Sequence, residues 1–383
     1  MHNSCLRTLL IGFIVLFSIS CTTTKRATQI TTTINGLKYL GGYEIPYNFK
    51  YKNTTVGGLS GIDYDAENDL YYLISDDRSE KDPARFYTAK IYLTRKGIDS
   101  LVFTGVRSIL QPNGNIYPNT KEDRYKTPDP EAIRYNPKTG LLIWSSEGER
   151  NIKANDTVLI DPSVLLIDPQ GKYIDSFILP SNLKMQLTEK GPRRNGVLEG
   201  LSYADNFKTL YVSVEEPLYE DGPRADVVDN NAFTRIIKFN AGGKKSIAQY
   251  AYKLAPVAYP AKPESEFKIN GVPDILNLGN NKLLVIERSF STGRLPCTIK
   301  VFIADLNGAT DVSSMTLRDN RSFTPAAKTL LLNMDDLGIY TDNIEGITFG
   351  PVLPNGHKTL LFIADNNFAV LEKAQVLLFE VLE

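Results

Sequence analysis

Five times along the chain, a short half-apolar run, a polar turn and a near-continuous apolar run follow one another. Residues 59–78 read LSGIDYDAENDLYYLISDDR, 130–149 PEAIRYNPKTGLLIWSSEGE and 198–217 LEGLSYADNFKTLYVSVEEP. Residues 273–290 read PDILNLGNNKLLVIERSF and 344–368 IEGITFGPVLPNGHKTLLFIADNNF. Anchored on Ser60, Glu131, Glu199, Asp274 and Glu345, the units lie 71, 68, 75 and 71 residues apart. Two strand-length runs joined by Asn, Gly and Asp predict a hairpin. The second run of each (LYYLI, LLIW, LYVSV, LLVI, LLFIA) has the character of a strand covered on both faces. Two further strand patterns follow most hairpins, ARFYTAKIYL and SLVFTGVRSIL after the first and FTRIIKFN and IAQYAYKL after the third.

Four strands per repeat, with repeats side by side, predict an all-β fold, a β-propeller. The direct reading is five four-stranded blades, or six if a long insertion conceals one. After the last hairpin only AQVLLFEVL remains, so one outer strand is missing. The segment INGLKYLGGYEI near the N-terminus can supply it, closing the ring and covering an exposed edge. Residues 111–128 and 218–231 read as loops. The propeller forms a single domain over 36–383.

The hairpin geometry places chemistry. Antiparallel pairing sets the start of each first strand beside the end of its second strand. Glu131, Glu199, Asp274 and Glu345, with Ser60 in the fifth place, therefore share a channel mouth with Asp76, Asp77, Glu147, Glu149, Glu215, Glu216, Glu287 and Asp365. So many carboxylates repel unless protonated, paired with arginine or bound to a cation. Oxygen ligands without His or Cys favour Ca²⁺ or Mg²⁺ over Zn²⁺. The candidate metal ligands are Glu131, Glu199, Asp274, Glu345, Asp76, Glu147, Glu215 and Asp365. Because Ser60 replaces an acid in the first repeat, a metal is expected away from that blade, nearer Glu131, Glu199 and Glu345. Arg78, Arg194 and Arg288 interleave with the acids and make candidate phosphate clamps.

The formal charge of -1 gives no support to a nucleic-acid partner. Residues 1–20 carry Arg7 and an apolar run from Leu9 to Phe17, the pattern of a secretory signal peptide. Small residues before Cys21 and a polar stretch after it resemble a bacterial lipoprotein signal, although Ser18 stands where Leu is usual. Cys21 would then be lipidated and residues 21–35 would tether the domain to the cell envelope. The lipid would be the sole membrane contact of a monomer. Cys5 leaves with the signal, so Cys297 remains as a lone, buried thiol. The mature chain has one histidine, His357, in a PNGHK turn, which excludes Ser-His-Asp catalysis. No G-x-S-x-G elbow, phosphate-binding Gly loop or Cys/His cluster is present. Catalysis would rest on carboxylates, a metal-activated water or both.

At these hairpins the sequence resembles the phytase-like family, described as having esterase-like activity of phytase. The matching stretches are GGLSGIDYD (57–65) with LISDDR (73–78), PDPEAIRY (128–135) with SSEGE (145–149), NGVLEGLSY (195–203) with SVEEP (213–217), and DNIEGITFG (342–350) with FIADNNF (362–368). The resemblance implies a propeller, calcium and phosphoester hydrolysis, by analogy with β-propeller phytases. The five-blade reading departs from the six blades of those phytases. The expected activity is a Ca²⁺-dependent hydrolase of phosphorylated or other small esters, with Glu131, Glu199 and Glu345 as catalytic acids. Two alternatives stand beside it: a non-catalytic binding propeller, and a metal-dependent lactonase with Asn195 or Asn343 as a ligand.

Overall fold

The computed structural model describes residues 32–94, 97–318 and 322–383. Five antiparallel sheets form a five-bladed propeller, and no sixth blade is present among the described residues. Blade 1 runs from the inner strand Leu59–Asp65 through Leu70–Ser75 and Arg85–Thr94 to Gly97–Ser108. Blade 2 comprises Pro130–Asn136, Leu141–Ser146, Ser163–Ile167 and Tyr173–Ser176. Blade 3 comprises Leu198–Ala204, Thr209–Val214, Phe233–Asn240 and Lys245–Lys253. In blade 4 the inner strand is split into Lys268–Gly271 and Ile275–Gly279; both pair with Lys282–Ser291, followed by Thr298–Asp305 and Ala327–Asn333.

Blade 5 has Asn343–Phe349, Thr359–Asp365 and Ala374–Leu382, and Gly36–Ile45 pairs antiparallel with the last of these. The expected closure by the N-terminal strand is therefore observed. The fold begins earlier than position 36. Ile34 is buried between blades 4 and 5, and Thr32 and Asn35 donate backbone hydrogen bonds to Leu278 and Leu382. The end of the expected 21–35 tether is thus part of the domain. Cys21 and the signal pattern lie outside the described residues.

Local sequence accounts for the hairpins. In blade 4, Gly279 pairs with Lys282 across Asn280 and Asn281, both at positive φ, which is the two-residue turn that Asn tolerates. The core is divided into wedges between neighbouring blades. Ile143 and Val164 of blade 2, for example, face Leu210 and Ile237 of blade 3. Apolar side chains on both faces of the middle strands explain their unbroken hydrophobic runs. The expected loop 111–128 carries one short helical turn, Thr120–Asp123.

The axis is narrow. A Cβ on Gly61 would lie 2.8 Å from the Glu131 carbonyl oxygen, and one on Gly200 would lie 2.6 Å from the Asp274 Cα. Gly61, Gly200 and Gly346, which follow Ser60, Glu199 and Glu345, therefore let adjacent inner strands approach. Serines stitch the blades at this level. Ser60 Oγ donates to the Glu131 carbonyl at 2.6 Å, and Ser145 Oγ donates to that of Glu199 at 2.9 Å.

Candidate functional site

The inner strands do not enter the channel in regular register. Pairing shifts between Leu59 and Gly61, Pro130 and Ile133, Leu198 and Leu201, and Ile344 and Gly346. These bulges fall on Ser60, Glu131, Glu199 and Glu345. A bulge re-aims the side chain that it carries. Glu131, Glu199 and Glu345 accordingly line one cavity of about 830 Å³, together with Asp76, Glu147 and Glu215 from the ends of the second strands.

Within this mouth, Asp76, Asp129 and Glu131 bring carboxylate oxygens within 4.8 Å of one another, as do Glu131, Glu147 and Glu199. Glu131 belongs to both groups. On the opposite side, Arg288 reaches Glu215 at 2.7 Å and Glu345 at 3.3 Å, while Asn343 Nδ2 donates to Glu345 Oε1 at 2.9 Å. The mouth thus has a carboxylate-rich half on blades 1 to 3 and an arginine-bearing half towards blades 4 and 5.

Burial and mutual repulsion push these acids towards the neutral form. Burial lifts Glu131, with Glu199 and Asp76 adding to it, well above the usual carboxylate range. Burial does the same to Glu147, reinforced by Asp129, and to Glu199, reinforced by Glu147. Asp129 is pushed up to about 6, by burial against the pull of Arg78. Glu345 reaches about 7, because its burial outweighs Arg288. Burial works against the Arg288 cation, but Glu215 and Glu345 outweigh it and hold the guanidinium charged.

The donor set suits a hard divalent cation. It is made of carboxylate oxygens only, buried in all but Asp76, and a 2+ charge would relieve the repulsion that now raises these acids. The two overlapping groups involve Asp76, Asp129, Glu131, Glu147 and Glu199. Asp76 lies on blade 1, so the expectation that a metal would avoid that blade does not match the geometry. Ser60 removes one acid there, and the acid at the end of the second strand replaces it.

Several expected site residues sit elsewhere. Asp274 does not line the cavity. Blade 4 has a break at Val272–Asp274 where the others have a bulge, and the Asp274 carboxylate receives Arg134 Nη2 at 2.7 and 2.6 Å. Arg134 also donates to the carbonyls of Ile62, Ile275 and Ile347, so it crosses the channel from blade 2 to blades 1, 4 and 5. Asp365 is buried beside the cavity and accepts from the Asn367 backbone at 2.8 Å. Arg78 and Arg194 do not face the cavity either. They hold Glu149 at 2.9 and 3.0 Å, and Arg78 also reaches Asp129 at 3.5 Å. Of the three expected clamps, Arg288 alone lines the cavity.

Glu287 turns away into a bond network with Tyr252, Asn270 and Lys328. Asp77 is taken by Arg85 at 2.7 Å. Asn195 and Asn343 both line the cavity. His357 is partly exposed in its turn and contacts Glu380 through Nδ1 at 2.7 Å. Cys297 is a free, buried thiol on the cavity wall, pushed up to about 12 by burial. Sequence reasoning missed Asp129, Arg224 and Arg134. A signal for the first was present in PDPEAI, with one acid two places before another. A signal for Arg134 was a cation between Ile133 and Tyr135 in an inner strand. Arg224 pairs with Glu216 from a loop whose path local pattern does not predict.

Solved structures with related shape include an exo-β-1,3-galactanase from Phanerochaete chrysosporium, at 14% identity and a TM-score of 0.45. That alignment covers 89% of this chain, which spans 64% of the galactanase. A protein of unknown function from Dyadobacter fermentans has 11% identity and a TM-score of 0.38, over 91% of this chain and 88% of its own. The periplasmic gluconolactonase of Pseudomonas aeruginosa has 10% identity and a TM-score of 0.37, over 86% and 90%. These similarities are too low to carry residue roles or activity. No protein of curated function matches the chain. The pattern of the phytase-like family, described as esterase-like activity of phytase, matches residues 54–368, a stretch containing every bulge-borne acid of the mouth. By that match across the five blades, the chain belongs to the phytase-like family.

Proposed function

We propose that the protein is an exported, calcium-dependent hydrolase of phosphoric esters, acting at the acidic mouth of the propeller. The observation that carries this reading is the pair of overlapping carboxylate groups sharing Glu131, buried beside Arg288 in one cavity. Asp76, Asp129, Glu131 and Glu147 would hold the cation, with Glu199 beside them as the base. Bound there, Ca²⁺ supplies charge stabilisation for a phosphoryl group and lowers the pKa of a water. Arg288 faces the same space and orients an anionic oxygen with its charged guanidinium. Arg78 and Arg194 position Glu149 and Asp129 at the rim rather than touching the ester.

Glu345 accepts Asn343 and Arg288 at Oε1, which leaves Oε2 to carry a proton near neutral pH. In hydrolysis, the oxygen of water bonds to phosphorus and its proton passes to Glu199. The phosphorus–oxygen bond to the alcohol breaks, and the alcohol leaves with the proton from Glu345. A purely binding propeller would need no group of carboxylates at such short separation, so the site favours catalysis over that alternative.

The test is phosphate release from several monoesters and phytate, with EDTA and after Ca²⁺ is returned. Turnover should appear with Ca²⁺ and fall by about 10²-fold or more in Glu131→Gln. Absence of metal-dependent turnover on every ester would refute the proposal. The export signal and the lipid on Cys21 belong to the same reading, and the mass of the mature N-terminus tests them.

A further inference from the structure

The cavity that holds the acids has a second wall of a different kind. Phe267, Phe290, Leu295, Val370 and Leu371 line it, from blade 4 and from the loop after the second strand of blade 5. Leu371, Val370 and Leu295 are 73%, 72% and 63% exposed, and Phe267 is 49% exposed. Large apolar side chains gathered at one site on a soluble surface mark a place that receives an apolar partner. They are not on loose loops. The 292–297 segment is tied by Arg294 stacked on Tyr259 at 4.1 Å, by Thr292 N–H to the Phe267 carbonyl and by Cys297 N–H to the Thr341 carbonyl. The 366–372 turn is tied by Asn367 to Glu372 at 2.8 Å and by Ala369 N–H to the Asn366 carbonyl. Bracing of this sort presents the apolar groups to the cavity and prevents their collapse onto the core.

Taking the proposed hydrolysis as its basis, we infer that the substrate is an amphipathic ester, its anionic head at Arg288 and the carboxylates and its apolar aryl or alkyl body against Phe267, Leu295, Val370 and Leu371. The size agrees. A cavity of about 830 Å³ exceeds what a phosphoryl group fills and falls in the range that encloses a drug-sized molecule. The chemistry agrees as well: Arg288, the carboxylates and the five apolar side chains line one and the same space. A fully polar polyphosphate would leave these side chains facing water and gain nothing from them.

The experiment compares 1-naphthyl phosphate with glycerol 2-phosphate in the wild type, in Leu295→Ser/Leu371→Ser and in the remote control Val102→Ser. Both replaced leucines are exposed, so the fold should be unaffected. Losing their contact with an apolar body should lower kcat/KM for the naphthyl ester about tenfold and leave the glycerol ester unchanged. The control should match the wild type. Equal behaviour of both esters in the double variant overturns the inference while the proposed activity stands. If the wild type hydrolyses neither these esters nor any other ester tested, the proposed activity falls, and binding of non-hydrolysable 1-naphthylphosphonate decides the inference. A Kd about tenfold weaker in the double variant supports it, and an unchanged Kd overturns it. Loss of binding to phosphatidylglycerol vesicles with naphthylphosphonate affinity intact would also overturn it, assigning the wall to a lipid surface.

Discussion

Replacing Arg134 by Met should destabilise the propeller out of proportion to the volume changed. Arg134 and Asp274 are 3% and 1% exposed. The guanidinium meets both carboxylate oxygens of Asp274 and carbonyls from four inner strands, Ile62, Ile133, Ile275 and Ile347. With Arg134 gone, Asp274 keeps only the amides of Ile275 and Ile347, and the carbonyls lose their donor. Leaving one member of a buried pair unpartnered costs about 3–5 kcal/mol. At roughly 2 °C per kcal/mol for a chain of this size, Tm should fall by about 6–10 °C. Chemical and thermal unfolding of Arg134→Met, Asp274→Leu and the double variant form a cycle. The double variant should lose less than the sum of the singles by about 2 kcal/mol, because it removes the stranded charge.

The pH dependence adds a second reading. Burial already raises Asp274 against Arg134, and without the arginine it rises further. A raised carboxyl contributes stability at low pH that is lost as pH climbs through its folded pKa. The deficit of Arg134→Met should therefore shrink in acid. A cost below about 1 kcal/mol, or strict additivity in the cycle, would refute the view that this pair clamps the blades.

Two further outcomes follow from the same physics. In EDTA the protein should lose stability as pH rises from about 4 to about 8, since Glu345 and Glu216 are pushed up to about 7 and Asp129 to about 6, above ordinary values near 4. At about 1.4 kcal/mol per unit, Asp129 alone, raised from 3.8 to about 6, gives an effect on the order of 3 kcal/mol, which added Ca²⁺ should recover chiefly at the alkaline end. Denaturant midpoints that stay constant over this range would contradict the assignment. Gly200→Ala should cost about 1–3 kcal/mol, because its Cβ would lie 2.6 Å from the Asp274 Cα. Gly242→Ala, whose Cβ meets no atom nearer than 3.6 Å, should change the denaturant midpoint by less than half of that, and equal effects would refute the close-approach argument.

The family resemblance and the blade architecture were legible because both depend on local, repeated information. Alternating runs fix strands, Asn-rich turns fix hairpins, and a repeat near 70 residues fixes the number of blades. The antiparallel hairpin by itself also placed Glu131, Glu199 and Glu345 at the same end as Asp76, Glu147 and Glu215. Direction was not legible. Glu131, Glu199 and Glu345 reach the mouth because bulges turn them there. Asp274 occupies the same place in the repeat, but its blade carries a strand break, and it meets Arg134 in the channel.

The arginines show the same limit. Arg78 and Arg288 each follow a strand-ending acid and Arg194 precedes a hairpin, but Arg288 alone faces the cavity, where it pairs with Glu215 and Glu345 of the two adjacent blades. The sequence determined a ring of five hairpins with acids at one end, through short-range backbone preference and the two-residue period of strands. Which acids share a cation-sized space, which are bound by arginine and which apolar loops face them was decided by tertiary structure alone. Many of those relations join residues far apart in sequence, as Arg134 does with Ile62 and Ile347, 72 and 213 positions away, and no local pattern encodes a distance across the axis.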